Sequence, residues 1–510
     1  MNQIKVAAVL NYVAIVVNVV VGLLYTPYML RSLGQSEYGI YSLAYSVIAY
    51  LTVLDLGFGN AIVRYTAKYR AQGKLNEQQY LLGMFLLLYI VIGFIAFFAG
   101  AILAMNVENL FSANMTDSEM GRIRIMLWLM TFNLAFSFPM GIWGSVMSAY
   151  ERFVFQREVG LVRSVLNPLV MVALLALGYK AVAMVVVTTI FNVVTLLINY
   201  WYCRHILKIK IRIGHIDTDL LREVGVYSFW IFLNVIMDRI YWSTGQFVLG
   251  IYKGTATIAI YAVAINLQSM YMMFSTAISS LFLPKVTAMV TKENNEKQIS
   301  DLFVSTGRIQ YIVMALVLTG FIIFGKSFIL LWAGDGYQDA YIISLLFFIP
   351  LTVPLIQNIG IVVLQARNQM KFRSVLYIVI AIASLSLSIP LAKQYGGIGC
   401  AFATSIALIL GHIIVMNIYY YKVQQIDIIQ FWKEIARMTI VPALFIFFYI
   451  CFSDDLDALF VNPLYFIIGI IAFLLMYLPL YCYCGMQENE RDLFLKPLGK
   501  LLGLKRFSAK

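Results

Sequence analysis

Charge is what this chain has least of. Of its 510 residues, 12% are Asp, Glu, Lys or Arg and 62% are hydrophobic, too little polar surface to cover a soluble globule of that length. Its solvent is lipid. Cysteine is also sparse: Cys203, Cys400, Cys451, Cys482 and Cys484 are scattered over apolar stretches and their ends. They have neither a paired framework nor the spacing of metal ligands, which leaves them as small packing residues. A cleavable leader is not read at the start. Residues 6–30 are too long for a signal-peptide core and lack a small-residue cleavage pattern before Arg31, so they stand as a first helix.

What is there is a series of fourteen apolar stretches. They read as 6–30, 39–63, 80–105, 124–149, 159–178, 181–202, 224–251, 256–284, 303–331, 340–364, 374–393, 396–421, 436–452 and 462–484. Each suits a tilted helix crossing a hydrocarbon core of about 30 Å. With residue 1 inside, the cytoplasmic connections, the span ends beside them and both termini hold 29 of the 37 Lys and Arg residues, the opposite connections and span ends hold seven, and Arg239 is the one that stands midway along a span. Such alternation is the positive-inside pattern for an even number of helices with both ends cytoplasmic. The acids Glu108, Asp117, Glu119, Asp454, Asp455 and Asp457 fall on the other side. The net charge of +12 is therefore explained by topology. Nucleic acid is not an expected partner, since no basic patch with interleaved aromatics lies outside the membrane boundary.

Weak self-similarity at a nearly constant offset points to a repeat of six helices. Gly34-Gln-Ser-Glu-Tyr-Gly-Ile-Tyr41 is echoed by Gly254-Thr-Ala-Thr-Ile-Ala-Ile-Tyr261, and Ala149-Tyr-Glu-Arg-Phe-Val-Phe155 by Ala366-Arg-Asn-Gln-Met-Lys-Phe372. The expected organisation is an N-terminal six-helix lobe over 1–215, a second over 216–430, an extra helix pair over 431–487 and a cytoplasmic tail over 488–510. The tail mixes Leu498, Leu501, Leu502 and Leu504 with Lys496, Lys500, Lys505 and Arg506, as an interfacial anchor does.

Polar residues inside the spans carry the functional reading, because a charge at mid-bilayer costs about 3 kcal/mol on insertion scales and needs a partner or a wet cavity. Asp55 lies nine residues before Arg64, about 13 Å into the bilayer. It opens Asp55-Leu-Gly-Phe-Gly-Asn60, whose two glycines allow the backbone to bend. Asp238 and Arg239 lie midway along the seventh span and point about 100° apart. The expected substrate path consists of Arg239, Arg64 and Lys285 with Asn18, Asn60, Asn234, Asn266 and Gln268 as hydrogen-bonding lining, and Arg239 pairs with Asp55 in one state. Asp55 and Asp238 are the ion-coupling candidates. The alternative for Asp55 and for each asparagine is a structural tie between helices. His412 reads either as a proton carrier or as a packed, hydrogen-bonded side chain. Arg122 and Arg124 read as an exit-side anion contact. No metal site and no cofactor is expected. Gly320-Phe-Ile-Ile-Phe-Gly-Lys-Ser327 satisfies a phosphate-loop pattern, yet it lies within the ninth apolar stretch, without the strand and solvated turn that such a loop needs.

Over nearly its whole length the chain resembles the polysaccharide transporter family, of the oligosaccharide flippase (Wzx-like) kind, in the multidrug/oligosaccharidyl-lipid/polysaccharide exporter superfamily. The resemblance rests on Leu33-Gly-Gln-Ser-Glu-Tyr-Gly-Ile-Tyr41, on Asp55-Leu-Gly-Phe-Gly-Asn60 with Arg64 and Tyr69-Arg70, on Leu364-Gln-Ala-Arg-Asn-Gln-Met-Lys-Phe372 and on Tyr395-Gly-Gly-Ile-Gly-Cys-Ala-Phe-Ala-Thr404. It implies an all-α membrane protein with two six-helix lobes in a V and two further helices. It also implies export of polyprenyl-pyrophosphate-linked oligosaccharide across the bacterial cytoplasmic membrane, alongside glycosyltransferases and a polymerase. The competing readings are a lipid II or teichoic-acid precursor flippase and a cation-coupled multidrug exporter of the same fold. A membrane glycosyltransferase or polymerase would need a longer outer loop than the stretch 106–123.

Overall fold

The computed structural model describes residues 3–111, 114–214, 218–279, 289, 296–367 and 369–492. Among these residues there is no strand. Lipid offers no hydrogen bonds to a bare backbone, so apolar runs of this length close their own N–H and C=O groups as helices. In chain order they are α1 (Gln3–Leu51), α2 (Phe58–Ala71), α3 (Leu75–Met105), α4 (Val107–Phe111), α5 (Asp117–Ala149), α6 (Phe153–Ala176), α7 (Ala181–Trp201), α8 (Thr218–Tyr252) and α9 (Thr255–Ser279). Then follow α10 (Glu296–Trp332), α11 (Asp339–Ile356), α12 (Asn358–Ala366), α13 (Met370–Leu408), α14 (Met416–Lys422), α15 (Ile428–Met438), α16 (Ile440–Cys451), α17 (Ser453–Phe460) and α18 (Pro463–Cys484). The phosphate-loop look-alike is continuous helix inside α10.

Among the described residues ten helices are long and apolar enough to cross a membrane, or eleven if the bent pair α15 and α16, at 45°, forms one span. Two of the ten, Val13–Ala71 with 59 residues and Met370–Lys422 with 53, are long enough for two crossings each. Both are broken at a glycine in the left-handed region, Gly34 at φ 75° and Gly396 at φ 59°. At Gly396 the chain turns back: Ser384 reaches Thr404 at 3.5 Å, although twenty residues of straight helix would part them by about 30 Å. The first break does the same. Tyr25 donates to Met171 and Tyr45 shares a cavity wall with Arg163, so two tyrosines twenty residues apart reach α6 at points only about 12 Å apart. Counting these hairpins, and α8, the architecture is an all-α bundle of about fourteen spans. Positive-φ glycines stand at 34 and 254 and again at 178 and 396, spaced like the sequence repeat.

The chain forms two compact units, Met1–Ile265 with Tyr377–Thr404, and Asn266–Leu376 with Ser405–Lys510. In the first, α3 and α7 pack on α5, and α1 packs on α6. Pro139 has no N–H to give the Ala135 carbonyl, and Gly93 of α3 lies against that carbonyl, where a Cβ would come within 2.8 Å. Seven residues on, Gly100 faces Thr131 in the same manner, with a Cβ placed 2.3 Å from the hydroxyl. Small residues thus let the two long helices meet almost backbone to backbone.

In the second unit α10 is tied to the extra helix pair at both ends. Arg308, 3% exposed, pairs with Glu434 at 2.5 Å and Glu490 at 2.6 Å and donates to the Gly485 carbonyl. At the other end Lys326 pairs with Asp457 at 2.7 Å. Between these ties Phe324, Phe445, Phe473 and Tyr477 form an aromatic cluster. The tail is helical over its described part, 488–492, and the rest of the expected anchor lies outside the described residues.

Candidate functional site

Two polar features of the first unit bear on its function. One is the break that carries Asp55. A 3-10 turn over Thr52–Asp55 ends α1, Leu56 and Gly57 take φ 52° and 73°, and α2 starts at Phe58. The carboxylate therefore sits at the N-terminal end of α2, where the helix dipole favours negative charge. It accepts from the Tyr89 hydroxyl at 2.8 Å and from the Gly57 N–H. Tyr89 is 3% exposed; its ring stacks on Phe138 and meets Phe58 edge-on. Asp55 is thus fastened to α3 without a cation.

The other is a cavity of about 330 Å³ walled by the second arm of α1, α5, α6, α7 and α8. Arg163 enters it from α6 and Arg239 from α8, and among the described residues no carboxylate lines it. The Arg163 guanidinium donates to the Asn192 side-chain oxygen at 3.0 Å. The Asn192 amide donates in turn to Asn133 and to Ser137, both at 2.8 Å. Spacing of four on α5 puts those last two on one helix face. Tyr45, Thr52 and Thr188 add hydroxyls. The Arg239 Nε and the Thr189 hydroxyl are buried without a partner. Two guanidiniums, two amides and several hydroxyls with no acid among them form a donor-rich, net-positive chamber, suited to an anion with further oxygens to bond.

Of the residues singled out in the sequence, Arg239 alone lines this chamber among the described residues. Asp55 and Arg239 are in the same unit but do not bond each other. Asn18, Asn60 and Arg64 are exposed, and Arg64 lies over the Tyr65 ring at 5.6 Å. Asp238 is exposed, Asn266 is half-buried, and Gln268 is buried and donates to the Met272 sulfur. Lys285 and the side chain of Asn234 lie outside the described residues. His412 is buried in a π-helical turn over Ile409–Val415. Arg122 and Arg124 are paired with Glu37 and Glu108, each at 2.5 Å. Sequence reasoning missed Arg163, Asn192, Asn133 and Ser137.

Residues 7–288, more than half of the chain, match the family of polysaccharide biosynthesis proteins. The chain belongs to that family. A Shigella flexneri protein that bears the name "Putative O-antigen transporter" is 19% identical over 403 residues, covering 77% of this chain and 92% of that protein. Among solved structures, a lipid II flippase, MurJ, in an inward closed conformation superposes with a TM-score of 0.72 at 16% identity, covering 92% of this chain and 97% of that one. An inward-facing multidrug resistance transporter of the MATE family gives a TM-score of 0.59 at 14% identity, covering 78% and 96%. The fold is shared with that lipid II flippase and that MATE-family transporter, and the chain is a multi-pass helical membrane protein of the polysaccharide biosynthesis family.

Proposed function

We propose that this protein is a flippase of the bacterial cytoplasmic membrane, exporting polyprenyl-pyrophosphate-linked oligosaccharide for surface polysaccharide biosynthesis by alternating access. The observation that carries the reading is the acid-free chamber holding Arg163 and Arg239, in a chain of the polysaccharide biosynthesis family. A polyprenyl tail stays in lipid while the sugar and pyrophosphate need a wet, cationic path. On this reading the halves 1–215 and 216–430 are the moving lobes, both termini are cytoplasmic, and glycosyltransferases and a polymerase supply and consume the glycan. Arg64, Lys285 and the lining Asn18, Asn60, Asn234, Asn266 and Gln268 belong to the rest of the path, with Asp55 and Asp238 open to ion coupling. A pocket for cationic drugs would call for acids where this chamber has arginines.

A head group with about two negative charges gains about 2.3 kcal/mol per charge per 100 mV on moving outward from a negative interior. The test is transport of a lipid-linked oligosaccharide in sealed proteoliposomes under an imposed potential. Export is expected to accelerate when the cytoplasmic side is negative, without ATP, and to slow when an ionophore collapses the potential unless an H⁺ or Na⁺ gradient replaces it. Strict ATP dependence, or indifference to every gradient, would overturn the mechanism. Lipid II and a teichoic-acid precursor supplied in parallel distinguish the glycan branch from the narrower flippases.

A further inference from the structure

A second set of contacts in the first unit joins its N-terminal helices to the hairpin between α8 and α9, at the end that the Lys and Arg pattern assigns to the outside. Glu119, 8% exposed, stands at the start of α5. Its Oε2 accepts from the Thr116 N–H at 2.9 Å and from the Thr116 hydroxyl at 3.0 Å, which caps the helix. Its Oε1 accepts from Ser36, just past the Gly34 break, and from the Thr255 hydroxyl at 3.0 Å. One carboxylate therefore gathers the first outer hairpin, the start of α5 and the start of α9. Beside it Glu37 meets Arg122 as a charge contact and accepts from the Ala181 N–H. Around this knot the backbones are close: a Cβ on Gly39 would fall 2.0 Å from the Thr255 carbonyl oxygen, and Asn114 donates to the Ile251 carbonyl at 2.7 Å. Deeper in, Tyr50 meets Thr244 at 2.5 Å and Phe247 packs edge-on against both Tyr50 and Phe111.

We propose that Glu119 is a latch that holds this outer seam shut: its bond to Thr255 must break, and Gly39 must leave the Thr255 carbonyl, before the outer end can open. Ser36 and Thr116 keep their bonds to Glu119 after release, so the carboxylate stays solvated within its own hairpin and only the Thr255 contact is exchanged for water. That asymmetry makes the latch reversible, because breaking it strands no buried charge. The chemistry is a charge-assisted hydrogen bond across a seam of close-packed backbone. The inference rests on the alternating-access reading above, but its labelling readout does not use the substrate.

In a full-length chain whose five native cysteines are replaced by alanine, Thr244→Cys is a reporter below the latch, since Thr244 is 7% exposed in the closed seam. Its labelling by a membrane-impermeant maleimide from the outer side is expected to quicken about tenfold on adding Glu119→Ala or Thr255→Val, the scale of one charge-assisted hydrogen bond. Lys326→Ala, which breaks an outer ion pair in the other unit, should leave the rate unchanged. Thr255→Val removes one hydroxyl at constant size and carries the test if Glu119→Ala does not fold. Labelling at the unmodified rate in folded Thr255→Val, or equal quickening by Lys326→Ala, overturns the latch. If the latch variants quicken labelling while the parent chain moves no lipid-linked oligosaccharide, the latch stands and the flippase reading falls.

Discussion

Arg163 and Asn192, on adjacent helices α6 and α7, are bonded guanidinium to amide oxygen at 3.0 Å, and that bond sets the direction of everything Asn192 does. The oxygen faces the arginine, and the two N–H donors of the amide both go to α5. The arginine is thereby held at the chamber wall, with nitrogens to spare and no acid to neutralise it.

Removing either guanidinium should abolish complementation of a flippase-deficient strain while the protein remains in the membrane. Arg239→Lys should keep part of the activity, since Lys supplies the charge without the planar fork. Arg163→Lys should keep less, because the Asn192 contact is lost as well. Export at the parental level by well-expressed Arg163→Ala or Arg239→Ala would remove that residue from the path.

Asn192→Asp halves the positive charge of the chamber at nearly constant shape. A carboxylate opposite Arg163 forms an ion pair and cancels half of the positive charge. Transport is expected to fall at least tenfold while thermal stability in detergent holds or rises, as a partly buried arginine gains a charged acceptor worth about 1.5–3 kcal/mol. A variant with full transport would show that net charge in this cavity is irrelevant.

Asp55 and Tyr89 can be separated by two conservative changes. If the carboxylate only fastens α2 to α3, Tyr89→Phe should lower the melting temperature by the loss of a buried hydrogen bond, about 1–3 kcal/mol, and Asp55→Asn by less, since its amide oxygen still accepts from Tyr89. If it also exchanges an ion, Asp55→Asn alone should remove the response of transport to imposed pH and Na⁺ gradients. The measurement is transport under each gradient beside a melting curve for both variants.

Arg308→Ala should be the most damaging of these substitutions to folding, because it leaves Glu434 and Glu490 close together without their cation, and breaking a buried pair costs about 3–5 kcal/mol. Adding Glu490→Gln should restore part of that loss. Yield and monodispersity on gel filtration report both effects.

Most of the fold was legible because lipid imposes simple rules: apolar length, Lys and Arg alternation, and glycine at the turns Gly34 and Gly254. The chamber was only half legible. Arg239 stood out as a base amid apolar residues, but Arg163 lies four residues past the start of the span read as 159–178 and was counted with the cytoplasmic loop. The helix begins at Phe153, which places Arg163 about 15 Å along it. Polar 156–158 concealed that start, since an amphipathic first turn reads as loop in a hydropathy pattern. Asn133 and Ser137 carried a usable signal in their spacing of four. Their convergence with Asn192 did not, because periodicity says which face of a helix is polar and nothing of which neighbour it meets.

Gly93 against the Ala135 carbonyl and Gly100 against Thr131 amount to two teeth seated in two notches along α3 and α5. Sliding one helix along the other would drive a carbonyl or a threonine out of its recess and into the next side chain, whereas tilting both together disturbs neither contact. The two helices are consequently geared as one strut. Whatever motion carries cargo through this unit must turn that strut whole, and a bulky residue at either notch would change the angle of the stroke before it changed the chemistry of the chamber.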